Sequence, residues 1–351
     1  MIWTSSGRDH ILAGPTLNGR RSAPRTPLKF SILGFGAAGI GNLYTAVDDE
    51  AAEAAVAEAF RRGIRYFDTA PYYGYGLSEI RLGRTLSSMY ADDVLISTKV
   101  GRLIVSTQDG AEVSPDGFAV SGRRAVFDYS REGVLKSFES SLRRLRRDRV
   151  DILLLHDIGR ETHGEQHEAI LKQALKEALP AMAHLKSSGA CRAIGLGVNE
   201  PAVCLEVMPR FDLDCILLAG RYTLLEQQAA AEVLADALHR GIAIVAGAPF
   251  NSGLLASAES PGTTYNYRPV DPDNLKRARE LYAVCEAEGV DVGAAALQFP
   301  LGHPAVVSVM AGMRSPAEVS SAIARMQAPV PISLWRKLKE TGLLAAGALI
   351  P

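Results

Sequence analysis

An aspartate, a tyrosine, a lysine and a histidine stand at, or just beyond, the carboxyl ends of short apolar runs. Ile64–Phe67 is followed at once by Asp68, and Tyr73 comes five residues later in the Gly/Pro/Tyr-rich stretch DTAPYYGYG. VLISTK ends in Lys99 and VDILLLH ends in His156. A carboxylate, a phenol, an ammonium and an imidazole in such places can pass a proton to or from a substrate oxygen. Taken singly, each has a plainer reading. An Asp at a strand end often caps a helix, and a lone Lys99 reads as a surface lysine. Tyr73 competes with Tyr72 and Tyr75, and only its spacing from Asp68 selects it.

These residues depend on the elements that carry them. Apolar runs fall at Phe30–Leu33, Ile64–Phe67, Val94–Ser97, Val150–Leu155, Ala193–Leu196, Cys215–Leu218, Ile242–Ala246 and Val306–Met310. Between and after them lie Ala-rich amphipathic segments with Glu and Arg on the opposite face, such as Asp48–Arg62, Ser78–Leu86, Ser130–Arg144 and Ala169–Ser188. That spacing predicts helices. Strand and helix alternate eight times without a linker, which predicts an α/β chain forming a single (β/α)8 TIM barrel over residues 28–351. Residues 1–27 are expected to be a partly disordered extension. Ser78 is expected to cap the second helix, with Gly63, Gly189 and Gly241 ending others.

The carboxyl face of such a barrel builds the site. Two long stretches, Gly101–Asp128 and Asn251–Pro272, read as irregular loops on that face. Their aromatics, Phe118, Phe127, Tyr129, Tyr265 and Tyr267, are expected to touch substrate or cofactor, or else to pin their own loops.

Composition narrows the class. The 351 residues carry a formal net charge of −1 with acids and bases mixed, so nothing suggests a nucleic-acid or membrane partner. No apolar run reaches the ~18 residues of a membrane span. Four cysteines without CxxC spacing read as buried reduced thiols of a cytoplasmic protein. GFGAAG at Gly34–Gly39 matches a dinucleotide fingerprint, but the helix begins only near Asp48, so no phosphate meets a helix N-terminus inside the motif. His163 and His167 have zinc-ligand spacing, yet the segment is polar and lacks the Glu of H-E-x-x-H, and a solvated pair is expected rather than a metal site. The arginines 143, 144, 146 and 147 are expected to complement a helix dipole.

FDTA-x-x-Y-G, then a strand ending in Lys, then a strand ending in His, resembles the aldo-keto reductase family, from about Leu28 to about Ala328. KVGRLIV, FDYSREGVLKS, YNYRP and PFNSGLL resemble its NAD(P)-linked branch of D-threo-aldose (L-fucose, galactose) 1-dehydrogenases and pyridoxal 4-dehydrogenase. The resemblance implies Tyr73 as general acid/base, tuned by Lys99 and Asp68, with His156 donating to the substrate oxygen. A free phenol titrates near pH ~10, and a neighbouring ammonium lowers that value.

The resemblance also implies cofactor contacts at Gly36, Ala37, Asp68, Asn199, Ala248, Phe250, Asn251, Gly253, Gly312, Met313, Arg314 and Glu318. The chain departs from the family pattern at Gly197 and Val198, where Ser-Asn is common, at Ala219, where Gln is common, and at Gly247, where an aromatic is common. Asn199 is then the substitute for the carboxamide contact. Arg314 can bind a 2′-phosphate and Glu318 repels one, so NAD is expected ahead of NADP. The implied reaction is hydride transfer at a carbonyl or hemiacetal carbon, oxidising an aldose at C1 to the lactone. Pyridoxal oxidation and general aldehyde reduction are the alternatives, and a non-enzymatic regulatory subunit of the same fold stands outside the class. The partner is a small sugar or aldehyde.

Overall fold

The computed structural model describes residues 14–17, 19–107, 116–257, 264–265 and 268–351. The chain enters through an antiparallel hairpin, β1 (Arg20–Ser22) and β2 (Lys29–Ser31). The barrel strands are β3 (Leu33–Gly36), β4 (Tyr66–Asp68), β5 (Leu95–Val100), β8 (Ile152–His156), β9 (Ala193–Val198), β10 (Cys215–Ala219), β11 (Ala243–Gly247) and β14 (Val306–Gly312). They are all parallel and close in that order. Between β5 and β8 lies a second hairpin, β6 (Arg102–Ser106) with β7 (Arg123–Phe127), and β12 (Thr264–Tyr265) pairs with β13 (Arg268–Pro269). The described parts of Gly101–Asp128 and Asn251–Pro272 therefore hold paired strands where irregular loops were expected. Their apolar alternation is short, and pairing with another segment decides it.

The strands read as near-continuous apolar runs because both faces are buried. Side chains still alternate, so every second residue points inward. Tyr66, Leu95, Ile152, Ala193, Cys215 and Ala243 form a buried inner cluster with Ala23, Leu28 and Phe30 of the entering hairpin. Most of these are first residues of their strands, so the hairpin plugs the amino-terminal end. Phe30 meets Tyr66 edge-on at 5.1 Å between centroids. The run Phe30–Leu33 is thus divided: Phe30 belongs to the plug and Leu33 to the barrel. Arg21 donates to the carbonyls of Val306 (2.7 Å) and Leu301 (2.9 Å). The boundary expected at residues 27 and 28 falls inside this hairpin, while residues 1–13 lie outside the described residues.

Outside the barrel, the strands' other faces and the helices form the larger core. Asp48, Ser130, Asp271 and Ser315 cap helices Asp49–Arg61, Arg131–Leu145, Pro272–Ala287 and Pro316–Gln327 by accepting from first-turn amides, which supplies partners to otherwise orphaned donors. Ser78 does not cap. Helix Leu77–Ser88 starts from Gly76 at φ 94°, and the Ser78 hydroxyl donates to the Ala37 carbonyl at 2.7 Å. Arg144, in the last turn of helix Arg131–Leu145 as expected, also makes a tertiary contact. Its Nε donates to Glu79 Oε2 at 2.6 Å, while Thr98 Oγ1 donates to Oε1 at 2.6 Å. Glu79 is fully buried, so these bonds replace all of its hydration. All four cysteines are buried and free of disulfides, and no helix among the described residues is long and apolar enough to cross a membrane.

Glu79→Ala strips the partners from a mostly buried guanidinium and from the Thr98 hydroxyl. Urea denaturation is expected to show a loss on the order of 3 kcal/mol. A loss below about 1 kcal/mol would mean that this network contributes little.

Candidate active site

The inward alternation of three adjacent strands brings the chemical side chains together. On β4, Tyr66 and Asp68 share a face; on β5, Leu95, Ser97 and Lys99; on β8, Ile152, Leu154 and His156. The carboxyl-end members are the titratable ones. Lys99 Nζ donates to Asp68 Oδ2 at 2.7 Å and to the Thr69 carbonyl at 3.0 Å, and Ser97 Oγ donates to Asp68 Oδ1 at 2.7 Å. Lys99 and Asp68 are 1% and 2% exposed, so neither charge has water to fall back on. Opposite Lys99 on β9 stands Gly197, where an added Cβ would lie 3.1 Å from Lys99 Cε. The small residue leaves passage for the lysine stem.

Tyr73 lies beyond β4 with its ring 4.6 Å from Lys99 Nζ, centroid to nitrogen. The His156 ring is 6.1 Å away at 88°. Its loop is fixed by a close backbone approach. A Cβ on Gly41 would lie 2.8 Å from the Tyr73 carbonyl carbon, and Gly74, at φ 62°, packs on the Gly41 carbonyl in return. The glycine-rich first loop thus serves to seat the tyrosine.

Burial sets the protonation states. It is the main cause that raises Tyr73 well above the ordinary phenol value, with the carboxylates of Asp68 and Asp157 adding to it. The cation that opposes this rise is Arg102, while the Lys99 ammonium is paired with Asp68. At rest the phenol keeps its proton. Burial also pushes His156 well below the usual histidine range, helped by the cations Arg102 and Lys99, so the imidazole is neutral.

A second charged pair adjoins these groups and was not singled out from the sequence. Arg102 Nη2 donates to Asp157 Oδ2 at 2.5 Å, and that oxygen lies 3.3 Å from His156 Nε2. The guanidinium stacks over the rings of Tyr72 (3.9 Å) and Phe127 (4.6 Å). Asp157 has φ 44°, a conformation uncommon outside glycine. Tyr129 Oη contacts the carbonyls of His156 (2.9 Å) and Asp157 (2.7 Å), and His163 Nε2 meets the Asp157 carbonyl at 2.9 Å. His163 is therefore engaged rather than solvated. His167 is buried against the Ile158 carbonyl and Glu206, on a separate helix. The available sequence signal was the position of Asp157, directly after His156, and of Arg102, three residues after Lys99.

Tyr73, Lys99, His156, Arg102 and Asp157 line one cavity of about 360 Å3, together with Tyr72, Asp116, Thr162 and Asn199. Glu200, almost fully buried, accepts from the backbone amides of Glu161 (2.8 Å) and Thr162 (3.3 Å) and so holds Thr162 at the rim. Phe118 is buried among the rings of Tyr72, Tyr73 and Tyr75. Tyr265 is buried, and Tyr267 lies outside the described residues.

Asn199 is the one expected cofactor residue beyond Asp68 that sits in this first group. The others follow β3, β11 and β14, which are neighbours in the ring. Gly36 and Ala37 form one loop; Ala248, Phe250, Asn251 and Gly253 a second; Gly312, Met313 and Arg314 a third, with Glu318 in the first turn of the helix that follows. The Met313 amide meets the Gly36 carbonyl at 3.4 Å, and the Ala248 amide meets that of Met310 at 3.2 Å. In the second loop Ala248, Asn251 and Ser252 hold φ of 52°, 46° and 58°, and the buried Asn251 Oδ1 has no hydrogen-bond donor among the described residues. Backbone strain and an orphaned acceptor suit a loop that meets a ligand. Beyond the third, Glu318 accepts from Arg314 Nε (3.0 Å) and from its amide (2.8 Å).

A closed parallel barrel with this polar cavity at its carboxyl mouth is the architecture of a barrel oxidoreductase. The chain belongs to the aldo/keto reductase family, whose sequence profile matches residues 32–342. It is 38% identical over 336 residues to the pyridoxal 4-dehydrogenase of Microbacterium luteolum, spanning 93% of this chain and 98% of that one. It is also 38% identical over 328 residues to the D-threo-aldose 1-dehydrogenase of a Pseudomonas species, spanning 92% and 97%. Among solved structures, the holo form of an aldo-keto reductase from Bacillus halodurans superposes with a TM-score of 0.72 at 25% identity, covering 94% of this chain and 97% of that one. The protein is an oxidoreductase of a family that uses nicotinamide cofactors.

The raised phenol value has a direct check. In an ultraviolet titration of the cofactor-free protein, Tyr73→Phe is expected to leave the tyrosinate rise below about pH 10.5 unchanged. Disappearance of one tyrosinate from that range would show that Lys99 governs the resting phenol after all.

Proposed function

We propose that the protein is an NAD(P)-dependent aldose 1-dehydrogenase, oxidising a cyclic sugar at its anomeric carbon to the lactone. The observation that carries this reading is the wall of the cavity. Around Tyr73 and His156 stand Arg102, Asp116, Asp157, Thr162 and Asn199, groups able to bind several hydroxyls, where a simple alkyl aldehyde would leave them unpaired. Similarity to a D-threo-aldose dehydrogenase and, equally, to a pyridoxal dehydrogenase supports a substrate that reacts as a cyclic hemiacetal.

The nicotinamide supplies a hydride acceptor in oxidation and a donor in reduction. The chain moves the proton. Tyr73 exchanges it with the substrate oxygen, and the Lys99 ammonium favours the phenolate when it forms, held in place by Asp68. Neutral His156 donates to the same oxygen. Asn199 would hold the carboxamide, and the segments 36–37, 248–253 and 312–318 the rest of the cofactor. Glu318 already occupies Arg314, so a 2′-phosphate would have to displace a carboxylate from the guanidinium. This supports NAD over NADP. Mixed charge, the near-zero net charge and four reduced buried thiols support a cytoplasmic enzyme.

Tyr73→Phe should lower kcat by about 10²–10⁴-fold with cofactor affinity nearly unchanged; retention of a tenth of the wild-type rate would place the proton transfer elsewhere. An aldose, pyridoxal and alkyl-aldehyde panel, followed by nicotinamide absorbance, tests the substrate reading, which fails if no aldose is oxidised.

Glu318→Arg should raise the efficiency with NADP by about 1–3 kcal/mol of transition-state binding. A wild-type preference for NADP of about tenfold, 1.4 kcal/mol, would show that Arg314 dominates the loop.

A further inference from the structure

We infer that the Arg102–Asp157 pair is the subsite for a hydroxyl on the carbon next to the reacting carbon, so that the enzyme selects 2-hydroxy carbonyl compounds and their hemiacetals. The inference rests on the proposed oxidoreductase site, with His156 on the reacting oxygen, but not on which sugar is used.

Three observations carry it. First, Asp157 Oδ2 lies 3.3 Å from His156 Nε2. Two oxygens on adjacent carbons in a gauche arrangement are about one hydrogen-bond length apart. A substrate whose reacting oxygen meets His156 therefore brings its neighbouring hydroxyl to Asp157. Second, the pair is fixed before any ligand arrives. The guanidinium carbon lies over the rings of Tyr72 and Phe127, and Tyr129 and His163 hold the Asp157 carbonyl while its backbone stays left-handed. An ion pair that only joined β6 to the loop after β8 would not require that backbone conformation, nor need to open onto the cavity, as both residues do. Third, binding capacity remains. Oδ2 takes the Arg102 hydrogen bond, while Oδ1 has no hydrogen-bond donor among the described residues. A carboxylate accepts a hydroxyl proton strongly, and a site built for a hydroxyl rejects the analogue without it because its own polar groups are left unpaired.

The test is a substrate ratio. The full-length enzyme with its cofactor is assayed in the reducing direction on glyceraldehyde and on propanal, and in the oxidising direction on an aldose and its 2-deoxy counterpart. Wild type is expected to favour the 2-hydroxy member of each pair by about 100-fold or more in kcat/KM. Asp157→Gly, which suits the left-handed backbone, should cut that ratio at least tenfold, mainly through KM for the 2-hydroxy member. Asp157→Asn, which keeps an acceptor and tolerates the same φ, should restore part of it. Thermal melting of each variant with cofactor establishes that it folds, and Arg102→Met gives an independent second reading. A ratio near one in the wild type overturns the inference, as does a ratio within about twofold of wild type in folded Asp157→Gly and Arg102→Met. Aldose oxidation with an unchanged ratio sinks the inference alone. A collapsing glyceraldehyde ratio without any aldose oxidation sinks the aldose reading alone. No turnover of either pair sinks both.

Discussion

The ion pair between Lys99 and Asp68 is the constraint around which the upper half of the barrel is arranged. A single charge there would have neither water nor partner, and burial of an unpaired ion is far costlier than burial of a matched pair. The pairing needs the two residues on neighbouring strands one inward layer apart, with both side chains inward. β4 and β5 are adjacent, with Asp68 opposite Ser97, and Ser97 fills the remaining acceptor of Asp68. One register step would turn Lys99 outward, into the position of Thr98, where Glu79 waits instead. Register, charge pairing and helix attachment therefore agree on one arrangement.

Neutralising that pair leaves the phenol beside it to its surroundings. Tyr73 feels burial and two carboxylates more than it feels Lys99, so the resting site is a protonated tyrosine next to a neutral histidine. Both are hydrogen-bond donors, suited to a substrate oxygen that gains negative charge. The ammonium matters once the proton has left, because only then is there a phenolate to stabilise. Rigidity serves the same end. Gly41 and Gly74 let two backbones touch beneath Tyr73, and Tyr129 braces the peptide after His156. Tyr73 on its loop and His156 at the end of β8 are both held so that little needs to reorganise when a substrate binds.

The chain's residue order was enough to locate much of this. Alternating apolar and amphipathic segments predicted the eight-fold barrel, because a strand buried on both faces and a helix buried on one leave different periodicities. Three strand ends carrying Asp68, Lys99 and His156 were legible for the same reason: a titratable residue closing an apolar run interrupts the pattern. Asp48, Ser130, Asp271 and Ser315 cap their helices through bonds that stay within the first turn. Ser78 showed the limit, since the same residue type at a similar place turned to a carbonyl across the fold.

What tertiary structure alone decided are the partnerships between segments far apart in sequence. Arg102 meets Asp157 across 55 residues, Arg144 meets Glu79 across 65, and Arg21 meets Val306 across 285. Phe30 looked like barrel strand and became part of the plug, because register with Arg21, not hydrophobicity, assigned it. The protonation state of Tyr73 belongs here too. Sequence supplied a lysine near a tyrosine. Which of two carboxylates and two cations prevails depends on distance and burial, and those exist only after the barrel closes.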